Sequence, residues 1–537
     1  MRRFIYGGLV SAALLFASCG DTLDIVPNDS YSDAIVWQDQ NLIKMFVNDQ
    51  YGALIGQDNW YRLSFFSDEV YAKYNDEGCN YIRENMLTSD NVGAVGDVLN
   101  FWNSGYKYLH NLNVFFENIQ TANVDEEFKK TMIGEMKFIR AFIYFRLIRS
   151  YGGVPIIEEA FDINSDWSGV KRSSYDECVD YIVKDLDEVI ATLPDLPDER
   201  NRASANAARA LKSRVLLYAA SPLNNPTNDK EKWQKAADAA QDLFDKGYSL
   251  CDNYREMFFD VANSEYIFAK EFSETYSHTS GFNMACTGDG GRGWNTPTQN
   301  LVDAYETKDG EIPVLDTATG EINPNSMYDP ANPYANRDPR FYDCIYYNGS
   351  TTVNNRGVET FQGGADMQNQ DMTMTGYYCR KWVNESEPVS QSHHYTMPYP
   401  FFRLAEIYLN YAEAEYHLGN EDVAREYVNK VRARASVNMP PVDESGEALL
   451  ERIYHERRIE LAFEGHRYFD LRRWKIADNE PLYGFIITKT DNGFAYERSM
   501  VSLASRETDW KDAFFVLPIH YQEIQKSNNS LEQNPGY

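Results

Sequence analysis

From residue 126 to 150 the chain reads as one helix. Its later part, Phe138-Ile139-Arg140-Ala141-Phe142-Ile143-Tyr144-Phe145, is apolar on almost every side. A helix without a polar face has to be enclosed by other elements. Tyr151-Gly152-Gly153-Val154-Pro155 stops it, because glycine accepts a left-handed cap and proline cannot continue a helix. Neighbouring segments offer the enclosing elements. Residues 98–120 space Trp102, Tyr106, Leu109, Leu112, Phe116 and Ile119 three and four apart. Residues 174–193, 204–220 and 232–247 read as three further helices.

The clearest helix pair begins at Phe401. Ala405, Tyr408, Leu409, Ala412 and Tyr416 form its apolar face, Leu418-Gly419-Asn420 turns the chain, and Ala424, Val428 and Val431 continue the packing. Ala412 facing Ala424 lets the two helices approach closely, as in a tetratricopeptide helix-turn-helix. Residues 208–218 followed by 233–244 form a second such pair, its turn expanded by Ser221-Pro222-Leu223-Asn224-Asn225-Pro226. The expected fold is therefore mainly α, a tetratricopeptide-like helix-turn-helix scaffold over roughly 37–56, 98–250 and 401–475. Roughly 58–97 and 275–400 are instead rich in Gly, Asn, Asp, Thr and Tyr, with strand-like pieces at Cys344-Ile345-Tyr346-Tyr347 and Tyr377-Tyr378-Cys379. Long loops inside an ordered protein are often functional, which makes this the expected ligand-binding face.

The N-terminus speaks to location. Arg2 and Arg3 precede an uncharged stretch from residue 4 to 18, too short to span a bilayer and built like a secretory signal peptide. Leu14-Leu15-Phe16-Ala17-Ser18-Cys19 resembles a bacterial lipobox, which makes 1–18 a lipoprotein signal and Cys19 the lipidated first residue of a single domain, 19–537. Acyl chains on one residue tether a water-soluble body to a membrane at ~0.8 kcal/mol per buried CH₂. The formal charge of −30, more negative still without the two arginines, repels phosphate backbones and argues against nucleic acid as a partner. Six cysteines remain besides Cys19: Cys79, Cys178, Cys251, Cys286, Cys344 and Cys379. Their wide spacings lack CxxC, and in a chain this large we expect mostly unpaired thiols acting as small core hydrophobes.

Five ordered stretches together resemble the SusD/RagB family of outer-membrane nutrient-binding lipoproteins. They are Cys19-Gly20-Asp21-Thr22-Leu23-Asp24 with Pro27, Lys137 to Pro155, Phe402 to Ala414, His455 to Trp474, and Leu517-Pro518-Ile519 through Asn534-Pro535-Gly536-Tyr537. The resemblance implies a SusD-like α/α superhelix and lipid-anchored exposure at the cell outer membrane. It also implies a complex with a SusC-like TonB-dependent transporter, over which the lipoprotein sits as a lid. Family members bind oligosaccharides in most cases and peptides in some, and ligand choice resides in the loops.

The residues that would carry ligand follow from sugar chemistry. A sugar has a flat apolar face ringed by hydroxyls, so aromatic platforms beside Asp, Asn, Arg and Gln suit it. Asn59-Trp60-Tyr61, the run Asp68 to Tyr74 with Tyr71, and Arg292-Gly293-Trp294-Asn295 supply such pairs. Trp294 leads them, because a tryptophan amid glycines does not owe its place to helix packing. Trp60 and Tyr74 are each as easily core as contact, and Trp102, on a periodic face, reads as core. No cofactor is expected; a surface calcium near Asp76 and Glu77 is a further candidate, though no EF-hand loop appears.

Catalysis finds less support. Glu451 to Arg473 reads as the most charged helix of the chain; on it Glu456, Glu460 and Glu464 fall four apart, with Arg452, Arg457, Arg458 and Arg467 close in sequence, and arginine neighbours depress a carboxylate's pKa. This stretch reads as a scaffold lock, its charges paired where they are buried. His455-Glu456 lacks the second histidine of a zinc motif, having Ile459 four residues on, and the glycines from 288 to 293 follow no strand of a βαβ unit. The expectation is a glycan-binding lipoprotein that delivers its ligand to a transporter and is not an enzyme. The rivals are a peptide-binding member of the same family, a surface glycosidase, and a protein whose main work is closing the transporter.

Overall fold

The computed structural model describes residues 33–54, 60–161, 165–197, 199–478, 480–501 and 510–537. The signal segment, Cys19 and Asn59 lie outside the described residues. Helices α1 (Gln40–Gln50) and α2 (Trp102–Ile119) pack against α3 (Glu126–Tyr151), the long apolar helix, whose residues from Phe138 to Ile148 are nearly all buried. Its start is capped by the Asp125 carboxylate, which accepts the Phe128 N–H at 2.9 Å. Its end is Gly152 at φ +75°, the cap its sequence calls for. Two arginines inside this helix are met by hydrogen-bonding partners. Arg140 makes two 2.7 Å bonds to Asp185, and Arg146 donates to the carbonyls of Ala53 and Asp97.

From α3 the scaffold is a stack in which each helix packs on the next. It runs through α4 (Tyr175–Thr192), α5 (Ala205–Ala220) and α6 (Lys230–Gln241), then α7 (Leu404–Leu418) and α8 (Glu421–Arg432). Between α5 and α6 the wide turn is held by Asn225, whose amide donates to Ala220 O and Asp229 O while its oxygen accepts the Asp229 N–H. Ala412 and Ala424 are both fully buried in one cluster with Leu409, Val428, Leu449 and Ile453, as close helix approach requires. Gly419 at φ +93° makes the turn between α7 and α8. Among the described residues no helix is long and apolar enough to cross a membrane.

Two expectations about the C-terminal third are corrected. Phe401 does not begin a helix: Tyr399–Arg403 is a strand, fully buried, and the helix starts at Leu404. Nor is 451–473 continuous. Helix α9 (Glu447–Glu460) ends, Phe463 at φ +63° and Gly465 at φ +81° turn the chain, and α10 (Arg467–Arg473) follows.

Glu456, Glu460 and Glu464 do all point inward, as a lock should, but mainly onto cations remote in sequence. Glu460 receives Arg403 at 2.7 Å, Arg434 at 2.8 Å and Arg340 at 3.0 Å. Glu464 receives Arg403 and Lys381, each at 2.7 Å, and Glu456 receives Arg340 and Arg432. Glu265 closes the network by holding both Arg403 and Arg434. Burial alone would raise these carboxyl groups, yet the surrounding guanidiniums hold all three below the usual range. Every charge here has a partner, the condition under which buried ions persist.

Strands are short and tie the loops to this scaffold. β1 (Val70–Tyr71) pairs antiparallel with β3 (Thr296–Pro297), and β2 (Tyr266–Lys270) with β6 (Tyr399–Arg403). β4 (Ile345–Tyr346) pairs with β5 (Tyr378–Cys379), the two strand-like pieces expected from sequence. A hairpin of β7 (Tyr483–Thr490) and β8 (Gly493–Met500) was not expected. All six cysteines from Cys79 to Cys379 are free thiols, and all but the half-buried Cys251 are buried, consistent with their reading as core hydrophobes.

Candidate functional site

The loop from Cys286 to Asn295 is fixed by its own backbone. Arg292 N–H donates to Phe282 O, Gly293 N–H to Ala285 O, and Trp294 N–H to Asn283 O at 2.8 Å. Glycine is required at 293, where φ is +57° and a Cβ would lie 2.3 Å from the Tyr378 ring. Arg356 clamps the base, bonding Asp289 at 2.8 Å and Asp366 at 2.6 Å, while Asp366 also accepts the Gly288 N–H.

This loop presents Trp294 half-buried, with guanidiniums flanking its ring. Arg62 lies 5.5 Å and Arg292 5.3 Å from the ring centroid, distances at which a cation feels the aromatic quadrupole. Glu77 forms an ion pair with Arg62 and so anchors the first of them. Behind the indole lies Tyr61, its ring 6.5 Å away and fully buried, its hydroxyl accepting from Asn283.

A second aromatic comes in through the 369–372 loop. Tyr74 is 44% exposed, and its hydroxyl donates to the Asp371 carboxylate at 3.0 Å. The carbonyl of the same Asp371 sits 3.4 Å from where a Cβ on residue 293 would lie. Asp371 therefore bridges Tyr74 to the Trp294 loop. Lys73 donates to Gln370 O beside it. Together these groups form a shelf in which Arg62 and Arg292 lie over the Trp294 ring and Lys73 and Asp371 sit beside Tyr74, suited to receiving a ring and hydrogen-bonding its rim.

A family model described as the SusD family matches residues 264–537, and a second, described as starch-binding associating with outer membrane, matches 23–217. The chain belongs to the SusD family. It is 25% identical over 522 residues to SusD-like protein P2 of Formosa agariphila, covering 91% of each chain. It is 24% identical over 433 residues to the starch-binding protein SusD of Bacteroides thetaiotaomicron, covering 75% of this chain and 72% of that one. Among solved structures, a SusD-like protein from Bacteroides fragilis superposes with a TM-score of 0.81 at 29% identity, covering 94% of this chain and 99% of its own. A SusD-like carbohydrate-binding protein from the same species gives 0.78 at 26%, covering 92% and 99%.

Within this SusD-family fold the eight residues picked from sequence divide into two groups. Trp294, Arg292 and Tyr74 reach the surface of the shelf. The other five are frame. Trp60 is fully buried, stacked 4.8 Å from Tyr399 and edge-on to Trp382, so it offers no face to a ligand. Tyr61 backs Trp294, and the buried Asn295 donates to Tyr61 O. Asp68 is buried between Arg458 and Arg467. Tyr71, in β1, is 8% exposed with Arg83 over its ring. Sequence reasoning missed Arg62 and Asp371, although Arg62 is a chain neighbour of aromatics it singled out, and it did not single out Lys73 within the run from Asp68 to Tyr74. The calcium expectation is corrected: Glu77 already carries Arg62, and among the described residues no group of three or more His, Cys, Asp or Glu is arranged to hold a metal.

Proposed function

We propose that this chain is a surface-exposed, Cys19-anchored lipoprotein of the outer membrane that binds oligosaccharide on the Trp294 shelf and delivers it to a TonB-dependent transporter. The observation that carries the reading is Trp294, half-buried on a loop held by backbone hydrogen bonds, with two guanidiniums over its ring, in a fold whose relatives include a starch-binding protein and a carbohydrate-binding protein. A preformed shelf loses little entropy when it captures a sugar. Tethering beside a transporter raises the local ligand concentration, so moderate affinity suffices.

The protein acts by binding and not by catalysis. The inward carboxylates Glu456, Glu460 and Glu464 are paired with cations, and Glu69, pushed up to about 7 by burial, is enclosed, its oxygens accepting from Ser64 Oγ and Phe463 N–H. A sugar cannot reach it. The test is calorimetry of the mature protein against maltoheptaose, laminarihexaose and a mixed oligopeptide library, with chromatography of the sugars after incubation. Heat with a glycan and no cleavage is expected. Heat with peptide alone would transfer the reading to a peptide-binding member, and glycan cleavage abolished by one Glu or Asp substitution would make the protein a glycosidase.

A further inference from the structure

Of the nine tryptophans, Trp167 alone is exposed, at 39%. It sits on a strap between α3 and α4 and rests on Phe161, ring centroids 4.5 Å apart.

The described parts of this strap, residues 152–161 and 165–174, are each held. Asn113 of α2 donates to the carbonyls of Ile157 and Glu159, and Glu117 accepts the Ala160 N–H. Toward the C-terminus, Gly169 N–H donates to Ser530 Oγ, which in turn donates to Val170 O. Strap, α2 and the C-terminal helix α11 (Tyr521–Lys526) enclose a cleft of about 540 Å³. That volume falls in the range of small-ligand sites, ~300–1,000 Å³.

The lining fits a sugar better than a fatty chain. Trp102 forms the back wall, 5.0 Å from Tyr106, and Tyr106 is locked because its hydroxyl donates to Pro155 O at 2.8 Å. Trp167 and Phe161 form the facing lip. Asn103 and His110, seven residues apart and so on one stripe of α2, join Glu159 and Lys526 to bring donors and acceptors of both signs to the same cleft. These groups are exposed at the rim of the cleft, where sugar hydroxyls can bond them while the C–H face covers the open Trp167 indole.

We infer that the Trp102–Trp167 cleft is a second oligosaccharide site, which holds a long glycan while the Trp294 shelf engages another stretch of the same chain. This rests on the glycan reading above. The two sites share no residue, and a polymer long enough to span them would bind with an avidity that exceeds the affinity of either.

The experiment compares wild type, Trp167→Ala, Trp294→Ala and the double variant by electrophoresis through gels containing amylopectin or laminarin. Titration with maltoheptaose and laminarihexaose runs alongside. Trp167→Ala should weaken polymer retention about tenfold and remove one of the two short-chain binding events, while the affinity of the other, at the Trp294 shelf, changes less than about twofold. Trp294→Ala should keep residual retention that the double variant loses. Melting of Trp167→Ala should match wild type, its side chain being exposed, and Trp167→Phe should restore part of the retention. Retention of Trp167→Ala equal to wild type, with the double variant no weaker than Trp294→Ala, overturns the second site and leaves the proposed function standing. Equal loss of polymer and short-chain binding in Trp167→Ala would make the cleft the sole site and overturn the two-site arrangement. Wild type that ignores every glycan overturns both.

Discussion

Arg467 grips Asp68 with two parallel bonds of 2.8 Å, Nε to one carboxylate oxygen and Nη2 to the other. These residues stand 399 positions apart, and Arg458 adds a third bond at 2.8 Å. The contact fastens the segment leading to Tyr74 onto α9 and α10. Asp68→Ala would leave two arginines facing a buried gap, and breaking a buried pair costs ~3–5 kcal/mol. Urea unfolding should show that loss. A change under ~1 kcal/mol would mean that water reaches the site and the charges are screened.

Acid and base act on this region in opposite directions. Burial alone would raise Asp68, but Arg458 and Arg467 hold it well below its ordinary 3.8. Its contribution is therefore complete above that value and is lost as pH falls below about 4. Glu69 is the reverse: burial pushes it up to about 7 from 4.5. The folded state favours its protonated form, so this stability is present below 4.5 and disappears as pH rises through 7, a change of about 3 kcal/mol. Glu69→Gln should flatten the melting profile between pH 4.5 and 7 and raise the melting temperature at pH 8. An unchanged profile would refute the assignment.

Trp294→Ala and Trp60→Ala should separate cleanly. The first removes a half-exposed ring and should weaken glycan binding by ~1–3 kcal/mol, by analogy with base stacking. The second empties a fully buried site beside Tyr399 and Trp382 and should cost ~3–5 kcal/mol of stability. Calorimetry and urea denaturation on both variants give the comparison. Intact affinity in folded Trp294→Ala would place the platform elsewhere.

Gly293→Ala tests whether the loop's shape matters apart from its side chains. The new methyl would press on the Tyr378 ring at a φ that only glycine adopts easily. We expect glycan affinity to fall although no contacting side chain is altered, with a stability loss of ~1–3 kcal/mol. Wild-type affinity would show that Trp294 does not need this loop conformation.

Thiol labelling should distinguish Cys251 from the rest. It is half-buried, while Cys79, Cys178, Cys286, Cys344 and Cys379 are enclosed, so native protein should label there first. Denaturation should then expose the others without a reductant. A need for reductant would reveal disulfides and contradict the free thiols.

The scaffold was readable because its signals are local. Helical spacing around Leu109 and Ile119, the Gly152 stop and the Ala412–Ala424 approach depend on residues near in sequence, and each appears where expected. Arg403 was placed in a helix because Phe401-Phe402-Arg403 runs straight into a strong helical pattern. Its strand conformation depends on pairing with Tyr266, more than a hundred residues away, which periodicity cannot register. Glu460 was matched to neighbours in its own helix for the same reason, when its partners are Arg340, Arg403 and Arg434. In the site, composition identified aromatic loops but not which rings face outward. Trp60 and Trp294 both sit among loop residues, and only tertiary packing buries one and leaves the other open.

The inward glutamate stripe also dictates what counts as an indivisible unit. Arg403 finds its counter-charges at 265, 460 and 464, before and after it in the chain. A fragment ending between 403 and 459 keeps only Glu265 of these three and forfeits the contacts to Glu460 and Glu464. Arg403 has its full set of counter-charges only once the chain has been made past Glu464.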